Sequence, residues 1–321
     1  MKVLVTGASG LLGRAVATAL LARGDEVTVL QRRPAGLDCA ERLGDVTDAA
    51  AVSAAAGGKD AIVHLAARVS ITGRWPAFAA VNVDGTAHVL AAARAAGAGR
   101  VVHISSPSVA HSGRSLVGAA ATPADPDHAG GHYARSKAMA ERLALAASSD
   151  DLAVVAVRPH LVWGPGDTQL VGRIVQRAKA GRLALVGRGT CLVDTTYVDN
   201  AVDAILAALD RAEAVRGRAF VVSNGQPRPL AELVERICTA AGAPGPRRHV
   251  PYLVARAGGA LAELAWAGLR RTDDPPMTRF LAEQLSTAHW FDLRETRAAL
   301  HWRPLVDLDE GFRRLAAAQS S

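Results

Sequence analysis

The sequence predicts an α/β protein, a doubly wound parallel sheet followed by a smaller, mainly helical lobe. Three observations carry that prediction. Short β-branched runs alternate with alanine-rich stretches up to Pro159, and a glycine-rich turn joins the first run to the first helix. Aromatic residues are only 4% of the 321, so a core of Ala, Val and Leu suits close helix-on-sheet packing rather than an aromatic-rich sandwich. Half of the residues are hydrophobic and 21% are charged, which excludes disordered and fibrous classes and lets the chain bury a large core.

In chain order, residues 2–6, 26–30, 61–65, 100–105 and 152–158 read as strands, because continuous apolar runs mark parallel strands covered on both faces. One more short strand is expected just before Gly44. Helices are predicted near 11–23, 48–56, 78–96 and 133–149. Such alternation implies right-handed crossovers, with a ligand crevice at the carboxyl ends of the strands. Beyond Pro159 the rhythm loosens, and Gly/Pro punctuation at 163–166, 224–227 and 243–246 separates helices near 169–180, 199–213 and 229–241. The apolar stretch 252–269 is interrupted by Arg256 and Glu263, so it reads as an amphipathic helix and no integral membrane span is expected.

The net charge of +7 comes from scattered arginines with no long basic run, which argues against nucleic acid and leaves a mild bias toward anionic small molecules. Cys39, Cys191 and Cys238 are irregularly spaced without a CxxC pair, so neither a disulfide framework nor a metal site is expected. The chain opens directly on a strand pattern, without the charged and apolar segments of a leader; a reducing, cytoplasmic location is the expectation.

Directly after the first strand, TGASGLLG at 6–13 runs into the first helix. Gly7 permits a tight turn, Gly10 lets a pyrophosphate approach backbone N–H groups, and Gly13 allows close helix–strand packing, with Ser9, Leu11 and Leu12 completing the cradle. The anion would rest on the positive end of the helix. At the end of the second strand, a carboxylate would accept from the ribose 2′-hydroxyl of NAD; here stand Gln31, Arg32 and Arg33, which suit the 2′-phosphate of NADP. NADP(H) is therefore the expected cofactor, with NAD(H) as the alternative. Asp45 and Val46 are expected beside the adenine, and the small residues of Leu65, Ala66 and Ala67 beside the ribose and pyrophosphate. His64 reads as a satisfied buried histidine. On this basis 1–160, with returns near 190–222, is the dinucleotide-binding domain, and 161–321 an interleaved substrate lobe.

Tyr133 and Lys137 share one helix face at i,i+4. Ionising a free tyrosine at pH 7 needs roughly 4 kcal/mol. An ammonium about 4 Å away at an effective dielectric of about 20 contributes about 4 kcal/mol, enough to make the phenol a useful acid or base. Upstream, the strand at 100–105 runs into Ser105, Ser106 and Ser108, of which Ser106 is the candidate to polarise a substrate carbonyl.

These motifs, together with HLAA at 64–67, NVDGT at 82–86, YARSK at 133–137, RP at 158–159 and WGPG at 163–166, occur in an order that resembles the extended short-chain dehydrogenases. Within that superfamily the chain is similar to the 3β-hydroxysteroid dehydrogenase branch, and above all to bacterial 2-alkyl-3-oxoalkanoate reductases, on SPSV at 106–109, LVDTTYVDN at 192–200 and TRFLAEQL at 278–285. The resemblance implies Tyr133 as general acid–base, Lys137 holding the nicotinamide ribose, Ser106 orienting the carbonyl and Pro159 meeting the carboxamide through its backbone. It also implies a homodimer and an association with other enzymes of the same pathway. The apolar segments at 252–269, 277–285 and 289–291 suit a hydrophobic small-molecule substrate, and Arg173, Arg177, Arg279 and His160 are candidates to meet a carboxylate. Three readings follow: an NADPH-dependent reductase or dehydrogenase of hydrophobic 3-keto/3-hydroxy compounds, including sterols; a nucleotide-sugar epimerase, reductase or dehydratase; and a dinucleotide sensor without chemistry.

Overall fold

The continuous apolar runs assemble into one parallel sheet. The computed structural model describes residues 1–70, 72–110, 113–269, 271 and 275–319. Strands β1 (Lys2–Thr6), β2 (Glu26–Gln31), β3 (Ala40–Leu43), β4 (Ala61–His64), β5 (Arg100–Ile104), β6 (Ala153–Pro159) and β7 (Ala219–Val222) lie in the order β7, β6, β5, β4, β1, β2, β3. Every pairing is parallel. The winding reverses at β1, whose neighbours are β2 on one side and β4 on the other, so the crevice of a doubly wound fold opens beyond Thr6 and His64.

Alternation along β1 sends side chains to both faces. Val3 and Val5 join a cluster with α1 (Leu11–Ala22) through Val16 and Leu20, and with the later helix Val198–Asp210 through Ile205 and Leu209. Leu4 points to the opposite cluster, where α2 (Ala49–Ala56) supplies Val52, α3 (Gly85–Ala96) supplies Val89 and Leu90, and α4 (Gly131–Ala146) supplies Ala144. β6 is fastened to α4 by a buried ion pair, in which Arg158 donates to both carboxylate oxygens of Glu141 and also to the Thr122 carbonyl at 2.7 Å. Breaking such a pair from one side costs roughly 3–5 kcal/mol, because the other charge is left buried.

Two features differ from the sequence expectation. The single helix predicted over 78–96 is preceded by a turn at Trp75–Phe78 and opens as a π-helix over Ala79–Asp84 before α3 begins. The wider turn carries the buried Asn82, which accepts from Arg68 N at 2.7 Å and donates to Ser136 Oγ at 2.8 Å, tying the loop after β4 to α4. Short strands outside the main sheet are the second difference. A four-stranded sheet runs Arg228–Pro229, Leu192–Val193, His289–Phe291, Leu116–Ala119, and Ala184–Val186 pairs with Arg248–Val250. Strands of two to four residues have too few side chains to display a period.

Helices α5 (Val171–Lys179), α6 (Val198–Asp210), α7 (Leu230–Ala240) and α8 (Tyr252–Gly268) complete the part described below. Along α8, Leu253, Leu261 and Leu264 are exposed. Among the described residues, no helix is long and apolar enough to cross a membrane.

Candidate active site

The glycine-rich turn is built by contacts that no side chain could share. A Cβ on Gly7, whose φ is +82°, would lie 2.7 Å from Ala66 N, and one on Gly13 would lie 2.3 Å from Gly7 O. A Cβ on Gly10 would meet nothing nearer than Gly7 O at 3.7 Å, so open space stands over the start of α1. Gly10 is also the N-cap and provides no side-chain cap, which leaves the first-turn N–H groups for an anion. A cleft of about 610 Å³ opens there, lined by Gly7, Ser9, Gly10, Gln31, Arg32, Asp45, Val46, Leu65, Ala66 and Ala67 among others. Of the predicted cofactor residues, Leu11, Leu12, Gly13, Arg33, Lys137 and Pro159 are not among those lining residues. Leu11 and Leu12 pack into a hydrophobic cluster instead, Gly13 supports the turn from behind, and Arg33 is exposed.

The donors and acceptors around the cleft suit a dinucleotide. Gln31 is buried and donates its amide N–H to Glu41, which can only accept, so its oxygen faces away and has no hydrogen-bond partner. A ribose hydroxyl is the kind of donor it lacks. Arg32 extends a side chain that is 79% exposed, with its nearest ion-pair partner, Asp45, at 3.9 Å. Asp45 accepts from both the N–H and the hydroxyl of Thr47 at 3.0 Å.

Beneath the cleft runs a directional hydrogen-bond chain. Thr6 Oγ1 accepts from Ala66 N at 3.1 Å and lies 2.7 Å from His64 Nδ1. His64 Nε2 lies 3.1 Å from Thr86 Oγ1, whose hydroxyl donates to Asn82 O at 2.7 Å. With the Thr86 proton committed to that carbonyl, His64 must donate from Nε2 and accept Thr6 O–H at Nδ1, a neutral tautomer. Burial, seconded by the charge of Lys137, holds its pKa down at about 3. His64 is thus the satisfied core histidine that the sequence suggested. His103, on β5, has its ring centroid 5.5 Å from that of His64 and is buried without a hydrogen-bond partner.

Ser106, Tyr133 and Lys137 come together at the carboxyl end of β5. Ser106 Oγ accepts from Ser108 Oγ at 3.0 Å and from Ser108 N at 3.3 Å, so its own proton is directed elsewhere. Tyr133 sits in the first turn of α4, half-buried; burial pushes its phenol above the ordinary value and a hydrogen bond with Ser106 works against that rise. Four residues on, Lys137 is 4% exposed and donates to the Ile104 carbonyl. Burial lowers its pKa to about 8, against the opposing charge of Glu141. Helix spacing alone predicts that the lysine lowers the tyrosine; the influences on the phenol are burial and then Ser106, with Lys137 turned down onto the sheet edge.

Two more cavities continue from the cleft. One of about 190 Å³ is lined by Tyr133, Val69, Ser70, Gln169, Arg173 and Phe280 with three neighbours. Val69, Ser70 and Gln169 also line the dinucleotide cleft. Gln169 and Arg173 in turn line a third cavity of about 660 Å³, walled largely by apolar side chains such as Ile174, Leu185, Val193 and Leu281. Cleft, phenol and apolar cavity therefore form a series. Gln169, common to all three, was missed by the sequence reading. Its position is set by Asp167, whose carboxylate accepts from the N–H groups of Gln169, Leu170 and Val171. The only signal in the sequence is an Asp after a Gly/Pro turn, which announces a helix start but not what the next residues face.

Known proteins resemble the chain over most of its length. Residues 3–223 match the NAD dependent epimerase/dehydratase family. A 2-alkyl-3-oxoalkanoate reductase of Stenotrophomonas maltophilia is 42% identical over 331 aligned positions, covering all of both chains. One from Shewanella oneidensis is 36% identical, covering 98% of this chain and 85% of the relative. A 3 beta-hydroxysteroid dehydrogenase/Delta 5-->4-isomerase of Mycobacterium tuberculosis is 31% identical, with 97% and 88% covered. Among solved structures, MoeE5 in complex with UDP-glucose and NAD superposes with a TM-score of 0.76 at 24% identity, covering 100% of this chain and 99% of that one, a likeness of fold. The chain belongs to the NAD dependent epimerase/dehydratase family, the extended short-chain dehydrogenases, and is an oxidoreductase of that type acting on CH–OH groups.

Proposed function

We propose that the protein is an NADPH-dependent reductase of 2-alkyl-3-oxoalkanoates, with Tyr133 as the proton donor, Ser106 as the carbonyl-orienting hydroxyl and Lys137 as the cation beside them. The bound nicotinamide would supply the hydride. Gly7, Ser9, Gly10 and the first-turn N–H groups of α1 would hold the pyrophosphate, with Gln31 and Arg32 at the adenosine ribose and its 2′-phosphate, Asp45 and Val46 beside the adenine, and the backbone of Leu65, Ala66 and Ala67 along the cleft floor. Leu11, Leu12 and Gly13 would support the cradle from behind. Pro159 would offer its backbone to the carboxamide, and Arg33 would add charge at a distance.

The single observation that carries the reading is the series of cavities: Tyr133 stands between a dinucleotide cleft and an apolar cavity of about 660 Å³. Most of that cavity's wall is Leu, Ile and Val, which suits alkyl chains, with Gln169, Arg173, Gln176, Arg177, Gln284 and His289 as the polar groups among them. The acid–base state suits reduction. A phenol held above its ordinary pKa by burial is protonated at neutral pH, the state that a ketone reduction consumes. Ser106, with its oxygen already accepting from Ser108, can donate to the substrate oxygen that replaces the phenol contact.

The experiment is to supply NADPH or NADH with 2-alkyl-3-oxoalkanoates, 3-oxosteroids and UDP-sugars while following reduced-nicotinamide absorbance. Consumption of NADPH with the branched 3-oxo acid alone is the expected result; turnover with the sugar nucleotide, or with no substrate, overturns it. The same proposal treats 161–321 as the substrate lobe and the protein as a cytoplasmic homodimer, for which a monomer in sedimentation would be the contrary result.

A further inference from the structure

A 2-alkyl-3-oxoalkanoate carries its carboxylate only two bonds from the carbonyl carbon. That carbon has to face the nicotinamide on one side and the Tyr133 phenol on the other, so it belongs where the dinucleotide cleft meets the phenol pocket. A group that reads the carboxylate must line both. Among the described residues, those lining both are Val69, Ser70 and Gln169. The Val69 side chain has no donor, and the Ser70 hydroxyl gives its proton to the Thr72 carbonyl at 2.7 Å. Gln169 remains, and it also lines the apolar cavity.

The cations named from the sequence do not meet that demand. Arg173, which has an interaction partner of its own, lines the phenol pocket and the apolar cavity but not the dinucleotide cleft. Arg177 lines only the apolar cavity, and Arg279 and His160 line none of the three.

Gln169 is anchored through its backbone and offers its side chain. The carboxylate of Asp167, itself 7% exposed, accepts from Gln169 N at 2.7 Å, Leu170 N at 3.1 Å and Val171 N at 2.9 Å, while the Asp167 carbonyl accepts from Gly172 N at 3.0 Å. Among the described residues, the hydrogen bond that Gln169 makes is this backbone one, which leaves the amide to the cavities that it lines. An amide N–H donating to a carboxylate makes a charge-assisted bond without bringing a charge of its own.

We infer that Gln169 is a specificity-determining residue whose side-chain N–H donates to the substrate carboxylate at the junction of the three cavities, setting the carbonyl against Tyr133 while the alkyl chains run into the apolar cavity. This inference rests on the 3-oxo acid reading above. A long-chain ketone or secondary alcohol that lacks the carboxyl group leaves the amide unanswered and is the poorer substrate.

The test uses the reverse direction, since 3-oxo acids lose carbon dioxide. A 2-alkyl-3-hydroxyalkanoate and the long-chain secondary alcohol without its carboxyl group are oxidised with NADP⁺ by the natural protein, Gln169→Leu and Gln169→Glu, with NADP⁺ affinity measured on the same samples. The natural protein should prefer the acid. Gln169→Leu should lower kcat/KM for the acid by about 10- to 100-fold, mainly in KM, and change the plain alcohol by less than about threefold. Gln169→Glu, which sets a like charge against the carboxylate, should lower the acid at least as far and again spare the plain alcohol. Equal losses for the two alcohols, or an undiminished acid preference in both variants, overturn the inference while leaving the 3-oxo acid reading intact. A fall in NADP⁺ affinity that accounts for the whole loss also overturns it, giving the amide to the cofactor. Should Gln169→Leu fail to fold, the acid-to-alcohol ratio of Gln169→Glu decides, an unchanged ratio being the contrary result. Failure of the natural protein to oxidise the acid overturns both the reading and the inference.

Discussion

The dinucleotide cleft and the apolar cavity are of similar size, yet they are built by opposite means. The cleft is made by backbone: glycines packed against one another's carbonyls, an uncapped helix start and a strand end whose small residues let the main chain stay close. The apolar cavity is made by side chains from α5, α7 and the segments around 183–193 and 281–289, brought together only by tertiary folding. A backbone-built site tolerates almost no change at Gly7 or Gly13, whereas a side-chain-built site can be reshaped. That is how one scaffold can keep its cofactor and alter its substrate.

The sharpest way to break the contrast is Gly13→Ala. A Cβ 2.3 Å from Gly7 O must displace the turn, and overpacking of about 1–3 kcal/mol there should cost up to ~100-fold in affinity for NADPH and NADH alike. Unchanged affinity by cofactor titration would mean that the turn does not bind. Next in size, Arg32→Ala should weaken NADPH by about 10- to 100-fold and NADH by less than about threefold, since only one carries the 2′-phosphate. Equal losses would remove Arg32 from cofactor choice. On the other side, Ile174→Trp should fill part of the apolar cavity and lower kcat/KM for long-chain substrates by about tenfold, with cofactor affinity untouched. A cofactor defect in that variant would show that the two regions are not separable.

The smallest expected effect concerns acid stability. His64 is held neutral in the fold at a pKa of about 3, below its ordinary 6.5, so between these values the unfolded chain binds more protons. Stability is therefore present above about pH 6.5 and falls as pH drops toward 3. Thermal melts of His64→Asn should be less acid-sensitive than those of the natural protein; parallel curves would contradict the neutral tautomer deduced from Thr6 and Thr86.

Most of the sheet was legible because β1, β2, β4, β5 and β6 are buried on both faces and so appear as unbroken apolar runs, and the 6–13 turn announces its own use. The π-turn at Ala79–Asp84 was not, since its cause is a tertiary one, Asn82 reaching Arg68 and Ser136. The same holds for Gln169, whose importance comes from standing where three cavities meet, and for Arg33, whose neighbour Arg32 faces the cleft while it does not. The expected pull of Lys137 on Tyr133 followed from helix spacing alone; the carbonyl of Ile104, supplied by a distant strand, redirects the ammonium.

The central claim is that the Tyr133 phenol gives its proton to a carbonyl held beside the nicotinamide. Single-turnover reduction by Tyr133→Phe, set against NADPH affinity measured on the same sample, tests it most directly. The account predicts a rate lower by about 10²- to 10⁴-fold with affinity within about twofold. A Tyr133→Phe protein that reduces its substrate at the natural rate would contradict it.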